Sequence, residues 1–112
     1  MNCIFLTRGK PPKSGFTLTL TGALDASGGY VTVSGTKYTT AKVLELDAGT
    51  EVAVHVGGSA VRGPKITYNG TTVSLGDFGK CTYTFSLSAD TTITFAKFGS
   101  QPYYYTASIV TN

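Results

Sequence analysis

His55 is the only histidine in the chain, and it stands within Glu51-Val52-Ala53-Val54-His55-Val56. An imidazole near a carboxylate is a common general base, and Glu51 shares its strand parity. The two lie four residues apart, about 13 Å along an extended strand. They do not touch unless a neighbour bridges them, so the expectation is an exposed strand histidine. The four aspartates, Asp25, Asp47, Asp77 and Asp90, all fall at turns, where Asp bonds its own backbone. No loop carries two of them, as a calcium site requires. The segment 57–63 has neither the spacing nor the Lys-Ser/Thr ending of a phosphate loop, and a strand follows it rather than a helix. It reads as a loose surface loop whose Arg62 is a candidate partner-binding residue. There is no Gly-x-Ser-x-Gly elbow, and Cys3 and Cys81 have no zinc-like spacing. The inventory points to no enzyme, no metal and no cofactor.

Aromatic residues offer binding chemistry instead. The chain has 7 Tyr, 6 Phe and no Trp. Tyr103, Tyr104 and Tyr105 form a run in a strand, so Tyr104 faces opposite to the other two. If one face is core, at least one tyrosine of the run faces outward. An exposed tyrosine stacks on sugars or anchors a protein interface; the alternative is that it shields a sheet face. Phe78, between Gly76-Asp77 and Gly79-Lys80, reads as a loop residue that either plugs inward or meets a partner.

These groups need strands to hold them. Phe16-Thr17-Leu18-Thr19-Leu20-Thr21 and Cys81-Thr82-Tyr83-Thr84-Phe85-Ser86-Leu87 alternate apolar and hydroxyl residues, and a period of two puts one set on a core face. The chain reads as nine or ten short strands with no sustained helical stripe. They are drawn from eleven candidate segments, 1–7, 16–24, 30–34, 36–39, 42–47, 51–56, 65–68, 71–75, 81–87, 91–98 and 103–110, not all of which need be separate strands. Ser34-Gly35 and Asn69-Gly70 mark hairpins, the latter being the strongest such signal. Residues 30–36 echo 65–71, and 48–54 echo 89–95. This element pattern is that of an all-β, antiparallel β-sandwich forming a single domain over 1–112.

Within that domain, residues 1–7 are an N-terminal strand, 8–15 a basic Pro/Gly-rich linker, and 16–112 the body. The strand, with Cys3, Ile4, Phe5 and Leu6, is tied on by a linker bearing Arg8, Lys10 and Lys13. Pairing within its own sheet is the default. Exchange with a neighbouring subunit, an inexpensive route to a homo-oligomer, is the alternative. Cys81 shares the parity of Tyr83 and Phe85 and is expected in the core as a small hydrophobe; a bridge to Cys3 stays open.

At 112 residues, 41% of them hydrophobic, the chain has room for one core. Charged residues are 13% of the total, about half the usual share. Polarity comes from 19 Thr and 9 Ser, so the outer faces are expected to be covered in hydroxyls. A net charge of +3, widely dispersed, argues against nucleic acid. No span of apolar residues is long enough for a membrane helix. The apolar stretch at residues 3–6 is too short for a signal peptide, which leads us to expect synthesis in the cytoplasm.

Tyr30-Val31-Thr32-Val33-Ser34-Gly35-Thr36-Lys37-Tyr38, Ala48-Gly49-Thr50-Glu51-Val52-Ala53-Val54, Tyr68-Asn69-Gly70-Thr71-Thr72-Val73 and Tyr83-Thr84-Phe85-Ser86-Leu87-Ser88-Ala89-Asp90-Thr91-Thr92-Ile93 together resemble bacterial and phage immunoglobulin-like domains. They are similar in particular to small proteins of tailed phages and prophages of Gram-positive bacteria. The chain departs from antibody domains in lacking the core Trp and the Cys-Trp-Cys spacing. The resemblance implies a non-enzymatic accessory structural protein, virion-associated or of decoration type, whose partners are itself or other virion proteins. It carries no catalytic residues across. A carbohydrate- or cell-surface-binding module, motivated by the tyrosine run and Phe78, is the alternative. A phage-encoded protein that binds or inhibits a host factor is a further one.

Overall fold

The computed structural model describes residues 15–22, 24, 29–62, 64–75, 78–98 and 104–112, with 58–62, 78, 79, 97, 98 and 104 described as backbone. The strands are β1 (Gly15–Gly22), β2 (Tyr30–Val33), β3 (Thr36–Tyr38), β4 (Lys42–Asp47), β5 (Glu51–Arg62), β6 (Lys65–Tyr68), β7 (Thr71–Leu75), β8 (Phe78–Ser86), β9 (Thr91–Phe98) and β10 (Tyr104–Thr111). They form a six-stranded sheet, β4-β1-β9-β10-β6-β7, and a four-stranded sheet, β3-β2-β5-β8. The two sheets pack face to face as a sandwich, and no helix occurs among the described residues. Most pairs are antiparallel, but β1 runs parallel to β9 and β10 parallel to β6.

Alternation does the folding work. Leu18, Leu20, Ile93, Phe95, Tyr105, Ala107, Ile109 and Ile66 from one sheet meet Val31, Val33, Val52, Val54, Val56 and Cys81 from the other. All are buried, most of them fully. Each large aliphatic side chain taken out of water contributes about 1.5–3 kcal/mol. Thr91 is the one buried polar residue in this set. Its hydroxyl donates to the Ala89 carbonyl at 2.9 Å, which removes most of the cost of burying it.

Both expected hairpins form. Ser34 and Gly35 have φ of 49° and 83°, and Asn69 and Gly70 have 50° and 85°. Positive φ at both central residues suits the right-handed twist of the flanking strands. The echo between 30–36 and 65–71 is therefore shared turn chemistry, in two different sheets. Asn69 also ties down the last strand. Its Oδ1 accepts from the Thr111 N–H and its Nδ2 donates to the Thr111 hydroxyl, both at 2.9 Å.

The structure corrects several expectations. Segment 57–62 is not a loop: β5 continues through Arg62, paired with β8 across a register shift between Gly57 and Arg62. Glycine-rich sequence here marks an irregular strand rather than a break, because β8 supplies a continuous partner. Phe78 is likewise the first residue of β8, directly opposite Arg62, and not a loop residue. Asp90 also acts far beyond its turn. Its Oδ1 accepts the Thr17 N–H at 2.9 Å, 73 positions away in sequence. β1 stops at Gly22, short of Leu24, which is buried in the turn that follows. The proposed strand 1–7 and the linker up to residue 14 lie outside the described residues, as do Asp25, Asp77 and Tyr103.

Gly22 ends β1 with φ of 90°, and a Cβ added there would stand 2.2 Å from the Phe95 carbonyl oxygen. Gly22→Ala combines left-handed strain with a backbone clash, so it is expected to destabilise by about 2 kcal/mol or more. Equilibrium urea unfolding measures this, and an unchanged midpoint would refute the close-approach argument. Ser34→Asn, at a turn position that favours Asn, is expected to stabilise by about 0.5 kcal/mol in the same assay.

Candidate functional site

The core alternation of the four-stranded sheet decides what its outer face carries. Val52, Val54 and Val56 point inward, so Glu51, Ala53 and His55 point out. On β2, Val31 and Val33 are buried, which turns Tyr30 and Thr32 outward. On β8 the outward residues are Lys80, Thr82, Thr84 and Ser86, all exposed.

Strand register then brings four of these side chains together. Tyr30 sits directly opposite His55, and His55 directly opposite Thr82. The Tyr30 and His55 rings stack, with centroids 4.3 Å apart and planes 14° from parallel. Lys37, on β3 opposite Thr32, reaches diagonally so that its Nζ lies 4.3 Å from the Tyr30 ring centroid. His55 covers one face of the tyrosine, which leaves the other for the ammonium, a cation–π contact. On its far side, His55 Nδ1 lies 3.0 Å from the Thr82 hydroxyl oxygen. Either tautomer satisfies that bond, with the hydroxyl donating to a bare nitrogen or accepting from a protonated one.

The electrostatics are one-sided. Partial burial holds the His55 pKa below its ordinary 6.5, and the nearby Lys80 and Lys37 ammonium groups push it in the same direction. Near neutral pH the site is thus a neutral imidazole on a tyrosine between two fixed cations. This suits the capture of an anion more than catalysis. Thr82 against His55 is the start of a nucleophile–base pair, but the carboxylate that shares the strand, Glu51, is four residues away, too far to orient the ring. Among the described residues no cluster of three or more His, Cys, Asp or Glu is placed to hold a metal.

The residues singled out from sequence are placed differently. Tyr105 is 8% exposed and belongs to the core, because its parity is that of Ala107 and Ile109. It cannot serve as a ligand platform. Tyr104 lies in β10 opposite Phe98. Arg62 and Phe78 face each other as a β5–β8 pair, far along the strands from His55. Cys3, Ile4, Phe5, Leu6, Arg8, Lys10, Lys13 and Tyr103 lie outside the described residues. Sequence reasoning set His55 aside as an exposed strand histidine and did not single out Tyr30, Lys37, Thr82 or Lys80. Parity placed His55 on the face of Glu51 and Ala53; only the β2–β5 and β5–β8 registers show which side chains it meets.

A second aromatic group has a packing role. Tyr68 meets Tyr83 and Phe85 edge-on, with centroids 5.9 and 5.7 Å apart. Tyr68 belongs to the six-stranded sheet and the other two to the four-stranded one, so the group seals one side of the sandwich.

No helix long and apolar enough to cross a membrane occurs among the described residues. No family model, curated protein or solved structure matches the chain.

Because the folded His55 pKa is depressed, the unfolded chain binds the proton more tightly. The His55 contribution to stability is complete above pH 6.5 and is lost as pH falls through the lower folded value. Thermal unfolding of the parent protein should therefore weaken between pH 7.5 and 5.5, and His55→Gln should flatten that part of the profile. An equal fall in the variant would place the titration elsewhere.

Proposed function

We propose that this chain is a non-enzymatic accessory structural protein of a phage or prophage particle, an immunoglobulin-like β-sandwich that assembles through the outer face of its six-stranded sheet. One observation carries the reading. The central strands β1, β9 and β10 present outward Thr17, Thr19, Thr21, Thr92, Thr94, Ala96, Thr106, Ser108 and Val110, with no charge among them.

Register arranges this face in rows. Thr21, Thr94, Ser108, Thr67 and Thr72 lie side by side across five strands. Val43, Thr19, Thr92 and Val110 form the next row. The exposed large apolar residues, Val43, Leu75 and Val110, all belong to this face. The centres of protein interfaces are depleted of charge, and a threonine buries its methyl while its hydroxyl finds a partner. Glu45 stays near the rim, where it accepts from the Thr17 hydroxyl at 2.9 Å. Lys65, opposite Thr106 and Leu75, and Glu45, opposite Thr17, bracket an uncharged centre on this face, and that centre repels neither a second copy nor another virion protein, whereas dispersed charge elsewhere keeps the free chain soluble.

Light scattering coupled to size-exclusion chromatography tests the reading. The parent protein is expected to form a concentration-dependent oligomer. The T94K/S108K variant, with two charges at the centre of the face, is expected to run as the 11.7 kDa monomer with an unchanged melting temperature. A parent that stays monomeric at millimolar concentration would remove self-assembly. An oligomer unaffected by the two lysines would place the contact on another surface.

A further inference from the structure

We propose that the outer face of the four-stranded sheet is a binding site for an acidic polysaccharide, with sugar carboxylates held by Lys37 and Lys80 and sugar hydroxyls met by the threonines between them. The site is on the opposite sheet from the assembly face, so the two readings stand or fall separately.

The argument starts from spacing. Lys37, Thr32, Ala53 and Thr84 lie in one row across the sheet, and Tyr30, His55 and Thr82 lie in the next. Lys80, opposite Gly57, begins a third. The two lysines are therefore separated by three strand spacings and four residues, on the order of 20 Å between backbones. A single small anion does not span such a gap, even with both side chains extended inward; a chain carrying carboxylates at intervals does. Between the cations lie hydroxyls, Thr32, Thr82 and Thr84, which match a sugar better than they match an apolar peptide.

Lys37 is also positioned in advance. Its ammonium rests on the Tyr30 ring, and Tyr30 is held by the His55 stack, so less side-chain freedom is lost on binding. The groups that face His55 are Tyr30 from β2, Lys37 from β3, Lys80 and Thr82 from β8, and Glu51 on its own strand. A carboxylate drawn between the lysines offsets their effect on the imidazole and favours its protonation. Binding then takes up a proton and strengthens as pH falls.

Isothermal titration at low ionic strength with polygalacturonate oligomers tests this at pH 8.0 and 5.5, with dextran, inorganic phosphate and single-stranded DNA as comparison probes. The parent protein is expected to bind the polyuronate severalfold more tightly at pH 5.5. The K37E/K80E variant, altered at two exposed positions and checked by its melting curve, is expected to lose at least tenfold. His55→Gln should keep the pH 8.0 affinity and lose the gain at pH 5.5. Absence of polyuronate binding overturns the proposal, as does equal binding of dextran. So do equal affinity for the DNA, displacement by equimolar phosphate, or indifference to K37E/K80E.

Discussion

The parallel pairing of β1 with β9 is the constraint on which the rest of the sandwich depends. β4 joins the six-stranded sheet only through β1, so without that pairing the sheet ends at β9 and one side of the core is open. A parallel pair has no hairpin to set its register. Two local devices set it instead. At one end the Asp90 carboxylate accepts the Thr17 N–H, while the Asp90 carbonyl accepts from Asn112 at 3.0 Å. One residue thereby aligns the start of β1, the start of β9 and the end of β10. At the other end Gly22 lets β1 pass against Phe95 closer than any side chain permits. A one-residue slip would turn Leu18 and Leu20 to solvent and bring Thr19 and Thr21 into the core.

That register reaches the candidate site through the turn that follows. Leu24 is buried, and its carbonyl accepts the Gly29 N–H at 2.8 Å. This bond ends the crossover between the sheets one residue before Tyr30, so that Val31 enters the core and Tyr30 faces outward. On β5 the inward valines impose the same parity on His55. The Asp47–Thr50 turn and the hydrogen bonds between Gly49, Thr50 and Leu87 fix where β5 starts relative to β8. The stack of Tyr30 on His55 is thus a consequence of where the core residues fall, and it needs no dedicated loop.

Much of the fold was legible because alternation and turn chemistry are local. The bounds of β4, β6, β7 and β9 could be read directly, and the Ser34-Gly35 and Asn69-Gly70 turns followed from the need for positive φ. What was illegible is non-local. Nothing in the residues around Asp90 indicates that its partner is Thr17, or that β1 and β9 run parallel. The glycines at 57 and 58 signal a break, and only the presence of β8 alongside makes that stretch a strand. The candidate site is subject to the same limit. His55 stood out as the single histidine, but Lys37, Tyr30 and Thr82 are ordinary strand residues until three strands are laid in register. The tyrosine run attracted attention as a local motif, and parity then put Tyr105 in the core.

The two outer faces differ in a way that folding alone does not require. Either would be stable covered in threonine, since β-branched hydroxyl residues suit any half-buried sheet surface. The six-stranded sheet follows that pattern across its centre. The four-stranded sheet instead places Lys37, His55 and Lys80 on a small surface, where the imidazole is kept neutral by burial and by the lysines themselves. The lysine backbones stand on the order of 20 Å apart, so their mutual repulsion is largely screened, and the face offers positive potential on either side of a neutral imidazole. Tyr30 is no sugar-stacking platform, because His55 covers one ring face and Lys37 the other. Its effect is to hold the lysine and the histidine in place. A tyrosine spent on positioning a lysine and a neutral imidazole has a physical rationale when those groups meet an anion, and the threonines flanking them make a hydroxylated anion the best match.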